Sequence, residues 1–115
     1  MSIIHGIVIP PDPTEPVRLL HLEDNENSLN VLEELREAVG GDIEGVLLKN
    51  IIMYINGDRK PIGLSYNDRA TDLYWSGRPE AAGVDMIVGN AVILGKPDRN
   101  GNDTSAPQYL LELAA

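Results

Sequence analysis

Apolar and polar positions in this chain fall into short blocks with two different periods. Ser2–Ile9 and residues 17–22 are rich in Ile, Val and Leu and have the character of extended chain. The turn signal Pro10-Pro11-Asp12-Pro13 lies between them, so they predict two strands paired as a hairpin around a proline-stiffened loop. Asp24-Asn25-Glu26-Asn27 breaks the pattern. From Leu29 to Val39 the period becomes helical. Leu29, Val31, Leu32, Leu35, Ala38 and Val39 share one half of the wheel, and Asn30, Glu33, Glu34 and Glu37 share the other. Ser28 is placed as an N-cap, and Gly40-Gly41 supplies a left-handed stop. This helix packs one face on a sheet and turns the other to water.

Extended blocks resume at residues 42–48 and 51–55, with Lys49-Asn50 as the turn between them. Asn56-Gly57 tolerates positive φ and predicts a hairpin returning through residues 60–64, where Pro61 confines the strand to an edge. Asn67 is placed to cap a brief helix from Asp68 to Trp75, which Gly77 and Pro79 end. Residues 86–94, MIVGNAVIL, are apolar on both faces and predict a central strand, with Gly89 marking a bulge or a close backbone approach. Residues 96–107 form a polar loop, and 108–115 fit a short helix or an added strand. The order β-β-α-β-β-β-α-β predicts a single α+β domain over residues 1–115. Its expected form is two layers, a mainly antiparallel sheet with one long and one or two short helices on one face.

Composition changes this picture in three ways. At 115 residues and 43% apolar content, the chain can bury a core without a metal or disulfide staple. It has no cysteine, which excludes disulfides, thiolate zinc sites and cysteine nucleophiles and fits a reducing, cytoplasmic setting. No apolar run approaches the roughly 20 residues that span a bilayer, and the N-terminus lacks the features of a signal peptide. Eighteen acidic against nine basic residues give a formal charge of −9, which repels phosphate backbones and argues against direct nucleic-acid binding. Such a charge serves solubility and also attracts basic partners.

The densest candidate chemistry lies between Ile62 and Pro79. Tyr66, Tyr74 and Trp75 occur there, in a chain with four tyrosines, one tryptophan and no phenylalanine. Aromatic faces beside arginines suit recognition. Arg69, Tyr74, Trp75 and Arg78 are therefore expected to line a binding patch, with Asn67 and Thr71 supplying directed hydrogen bonds. The competing structural reading has Asn67 capping, Leu73 and Tyr74 packing, Trp75 covering the edge of the core, and the arginines neutralising nearby acids.

Catalytic and metal motifs are weaker. His5, His21 and Glu23 would share a face if the first strands pair, yet two partly exposed histidines on an edge hairpin explain them as well, and no metal or other cofactor is expected. Asp98-Arg99-Asn100-Gly101-Asn102 opens like a calcium loop, but its glycine stands fourth instead of sixth and Tyr109 replaces the bidentate glutamate. Gly63-Leu64-Ser65-Tyr66-Asn67 lacks the final glycine of a nucleophile elbow, and both histidines precede its serine. Asp68 and Asp72 share a helical face near Arg69 and Arg78, but catalysis would need them desolvated in a cleft. The chain is not expected to be an enzyme.

Several segments in the second half resemble a known pattern. They are Gly40-Gly41-Asp42-Ile43-Glu44, Tyr54-Ile55-Asn56-Gly57-Asp58, Gly63-Leu64 with Asn67, Arg69, Ala70 and Thr71, and the run from Asp85 to Gly95. In this order, over roughly residues 40–95, they resemble domain-of-unknown-function family 3846, found in actinobacteria, other bacteria and their phages. The chain departs from the family pattern at Gly57-Asp58 and in a longer insert over residues 74–84. The resemblance implies a phage or mobile-element setting, with a bacterial host cytoplasm as the location, and carries no activity with it. The resulting expectation is a small accessory protein that binds a host protein. The alternative is a module that holds a nucleotide or other anionic metabolite between the two arginines and a stacking ring. Exposed edge strands also allow a homo-oligomer.

Overall fold

A computed structural model describes residues 2–24, 29–58 and 63–114. Five strands form one antiparallel sheet: β1 (Ser2–Ile9), β2 (Arg18–Asp24), β3 (Ile43–Leu47), β4 (Ile51–Asn56) and β5 (Ala91–Gly95). Their order across the sheet is β2-β1-β5-β4-β3, so the last strand in sequence is the central one. The helices are α1 (Leu29–Val39), α2 (Asp68–Gly77) and α3 (Gln108–Leu111), with 3-10 turns at Pro79–Ala81 and Glu112–Ala114. The fold is α+β, as the hydrophobic pattern predicts. No helix among the described residues is long and apolar enough to cross a membrane.

The helices do not share one face, contrary to the two-layer expectation. Val31, Leu35 and Val39 of α1 pack with Ile4, Val8, Leu22, Val92 and Leu94 on one side of the sheet. Ala70 and Tyr74 of α2 and Leu110 of α3 pack with Ile7, Ile9, Ile51, Met53 and Ile93 on the other. The physical reason lies in β5. Every residue of that strand is buried, so both of its faces need an apolar cover.

The strand expected over residues 60–64 is not matched by the described part of that segment. Gly63 (φ 91°) and Leu64 lie outside any strand, while residues 59–62 fall outside the described set, as does the expected cap Ser28. The place beside β4 is taken by β5, through pairs such as Met53 with Ile93. Asn56-Gly57 accordingly makes no hairpin turn. Gly57 N–H donates to Asp42 O at 2.7 Å and extends the β3–β4 ladder. The Asn56 side chain donates to Val39 O at 3.2 Å, satisfying a carbonyl at the end of α1.

The central strand is also shorter than residues 86–94. Gly89 has φ 74°, in the left-handed region, and its N–H donates to Ser65 O at 2.8 Å. It turns the chain from an isolated bridge, Val88 with Tyr66, into β5. The expected close approach at Gly89 is therefore a sharp change of direction. Residues 108–114 take the helical alternative of the two expected.

Gly6, within β1, requires its missing side chain. A Cβ there would come within 2.7 Å of Ile93 O, a backbone atom of the central strand. Gly6→Ala is expected to cost about 2 kcal/mol by overpacking, read as a lower urea midpoint at unchanged slope.

Candidate functional site

Helix α2 carries four of the six sequence-predicted site residues, Asn67 and Arg78 flank it as its N-cap and C-cap, and the fold distributes the six over three jobs. Asn67 caps the helix: its Oδ1 accepts from Ala70 N–H at 3.0 Å. Its Nδ2 donates at 2.8 Å to both Ile9 O and Gly89 O, and its backbone N–H donates to Ile87 O at 2.8 Å. Asn67 is fully buried. One helical turn on, buried Thr71 accepts Ile87 N–H at 2.9 Å on its Oγ1. A further turn on, half-buried Trp75 donates from Nε1 to Asp85 O at 2.6 Å.

These contacts form a ladder. Positions 67, 71 and 75 lie four apart along the helix, and their partners 89, 87 and 85 lie two apart along the facing segment. Four helical residues rise about 6 Å. Two extended residues advance about 6.6 Å. The periods match closely enough for every rung to form, so α2 holds residues 85–89 antiparallel to itself. The hydrogen-bonding capacity that the sequence offered for a ligand at Asn67 and Thr71 is used within the fold.

Arg69 has the second job. Its Nη2 donates to Pro10 O at 2.9 Å and Asp12 O at 3.0 Å, which fastens α2 to the β1–β2 loop, while its buried Nε has no partner. The loop is ordered by its own chemistry as well. Thr14 N–H and its hydroxyl both donate to the Asp12 carboxylate, which holds that group below the ordinary aspartate range, with the Arg69 charge as a smaller influence.

Tyr74 and Arg78 have the third job, and they do come together. Both line a groove of about 1040 Å³ over the β3–β4 end of the sheet. Val46 of β3 and Ile55 of β4 form the floor, and the segment around Asp85 and Met86 forms the wall that the α2 ladder holds in place. Tyr74 is mostly buried, whereas Arg78 is exposed and donates from Nη2 to Leu47 O at 3.1 Å. Glu44, Asp58 and Asp85 put three carboxylates on the rim against the single guanidinium of Arg78 among the described lining residues. On the wall Met86 is 54% exposed, and Val84, two positions before it, is 77% exposed. The sequence reading missed Glu44, Val46, Ile55, Asp58, Asp85 and Met86. All of them but Val46 fall in the segments that carry the family resemblance, which was the signal available.

The remaining candidates stay apart from this groove. His5 and His21 face each other directly across β1 and β2, with ring centroids 4.9 Å apart and nearly perpendicular. Among the described residues no group of three or more His, Asp or Glu side chains is placed to hold a metal. Asp98 accepts from Asn100 N–H and Asn102 N–H, and its carboxyl is held below the ordinary range first by the Asn102 backbone bond. Asp68 and Asp72 are exposed, without the desolvation that a catalytic pair would need.

The fold and site define a class: a small α+β domain with a doubly covered antiparallel sheet and an acidic-rimmed groove at one end. Residues 4–114 match the family model described as Domain of unknown function (DUF3846), nearly the whole length, and the chain belongs to that family. No curated protein and no solved structure matches it.

Proposed function

We propose that this chain is a small non-enzymatic accessory protein that recognises another protein through the groove over β3 and β4. The single observation that carries this reading is the composition of that groove. Val46 and Ile55 on the floor and exposed Met86 on the wall supply apolar area to bury, and the acidic rim selects a basic partner. The net charge of −9 adds a long-range field that attracts the same kind of partner. A phage or mobile-element setting, with a cytoplasmic host protein as partner, rests on the family resemblance alone.

The reading as a nucleotide or anion binder has less support. Arg69 and Arg78 stand near opposite ends of α2 and reach in different directions, to the β1–β2 loop and to the end of β3. The carboxylates of the groove rim would repel a phosphate. Trp75 is the sole tryptophan, so an unchanged fluorescence spectrum on titration with nucleotides is the expected result.

The test compares capture by the wild-type chain with capture by Glu44→Lys/Asp85→Lys and by Glu33→Lys/Glu34→Lys, whose charges lie on the solvent side of α1. A protein recovered from host lysate should be lost on the first variant and kept on the second. Equal recovery on all three would remove the groove from consideration.

A further inference from the structure

Building on that reading of the groove, we propose that the outer edge of β3 accepts an extended basic segment of the partner as a sixth strand. Ladder phase decides which backbone groups are free. Leu48 N–H donates to Ile51 O and Gly57 N–H to Asp42 O, so the hydrogen-bonded positions of β3 are the even ones. The N–H and C=O groups of Ile43, Gly45 and Leu47 therefore point away from β4, to the side on which no described strand pairs with β3. Arg78 takes the outward carbonyl of Leu47. Gly45 and Leu47 are exposed, and the strand contains no lysine or proline of the kind that usually blunts an edge.

Side-chain alternation then specifies the incoming chain. Glu44 and Val46 project on the groove face, and Ile43 and Leu47 on the opposite face. A segment alternating apolar with lysine or arginine places its apolar residues beside Ile43 and Leu47. Its cations then face Glu44 and the rim carboxylates, their aliphatic stems lying over Val46. Main-chain pairing supplies affinity and the alternating side chains supply selectivity, as in other strand-addition complexes. A second copy of this chain fits poorly, because β3 against β3 would set the two Glu44 side chains diagonally on one face, on two chains that each carry −9.

The probe is a blocked heptapeptide alternating valine with lysine, compared with its valine–glutamate counterpart and with a lysine peptide N-methylated on the residues that would pair. The full chain is used in each titration. The lysine peptide should bind and protect the Gly45 amide from exchange, and the glutamate and N-methylated peptides should each bind about tenfold weaker or worse. Gly45→Pro removes the outward donor and should weaken binding about tenfold. Gly45→Ala adds the same Cβ beside Tyr54 and Ile52 but keeps the N–H, and should weaken binding far less than Gly45→Pro does. If Gly45→Pro does not fold, the N-methylated peptide still decides. Equal binding of methylated and unmethylated peptides overturns strand addition while leaving the groove reading to the capture experiment. Failure of the lysine peptide to bind, or a dimer in sedimentation that Gly45→Pro abolishes, also overturns it.

Discussion

Asn67→Ala is expected to lower the free energy of unfolding by about 3–5 kcal/mol, the largest effect of any polar substitution in this chain. The alanine would leave Ile9 O, Gly89 O and Ala70 N–H inside the fold without their partner. Each orphaned group costs about 1–3 kcal/mol, partly relieved by local relaxation and water. At roughly 4 °C per kcal/mol for a domain of this size, the melting temperature should fall by about 12–20 °C. A loss under about 1 kcal/mol would mean that the three contacts are not simultaneous.

Asn67→Asp sharpens the same prediction through pH. The aspartate keeps the capping oxygen but presents a carboxylate to two carbonyl oxygens, which favours its protonated form and raises its folded pKa above the unfolded value. Such a group contributes stability at low pH and loses it as pH rises through the folded pKa. Asn67→Asp should therefore regain part of its lost stability on acidification, where Asn67→Ala should not. Equilibrium urea titrations of the two variants at several pH values make the comparison.

Ile93→Ala is expected to cost about 3–4 kcal/mol. Ile93 stands in the middle of a row that crosses the sheet, paired with Ile7 of β1 on one side and Met53 of β4 on the other. All three are 0% exposed, with α2 and α3 packed over them. Neighbouring strands are fixed by their ladders on both sides, so the structure has little room to close the cavity. The same row continues to Leu19 at one end and Val46, on the groove floor, at the other. Leu19 is 45% exposed, and Leu19→Ala should cost under about 1 kcal/mol. Comparable losses at both positions would contradict the placement of the core.

These two sites show how the block at residues 67–78 came to carry two readings. Its composition suits recognition, and residue types alone do not distinguish an amide facing solvent from an amide buried between carbonyls. The decisive fact is that residues 85–89 lie beside α2. That contact spans ten or more positions of sequence and matches a helical period of four to an extended period of two. Asn67, Thr71 and Trp75 hold the groove wall in place, and Tyr74 and Arg78 border the groove itself. Loosening the ladder by Asn67→Ala should therefore disturb the binding face as well as the core.

Local pattern by itself determined the α+β class, the β1–β2 hairpin, the span of α1, the cap at Asn67 and the central position of the last strand. Each follows from short-range periodicity, turn chemistry or the presence of apolar residues on both faces of a strand. Tertiary structure alone decided that β5 inserts between β1 and β4, that the helices divide over both faces, and that Asn56 closes a helix end instead of a hairpin. It also decided where the groove lies. Glu44, Asp58 and Asp85 are ordinary surface acids in the sequence and become one rim only when the β3–β4 hairpin and the segment after α2 meet. Pairing between distant segments depends on which edges remain open once the central strand is placed, and that competition has no local signature.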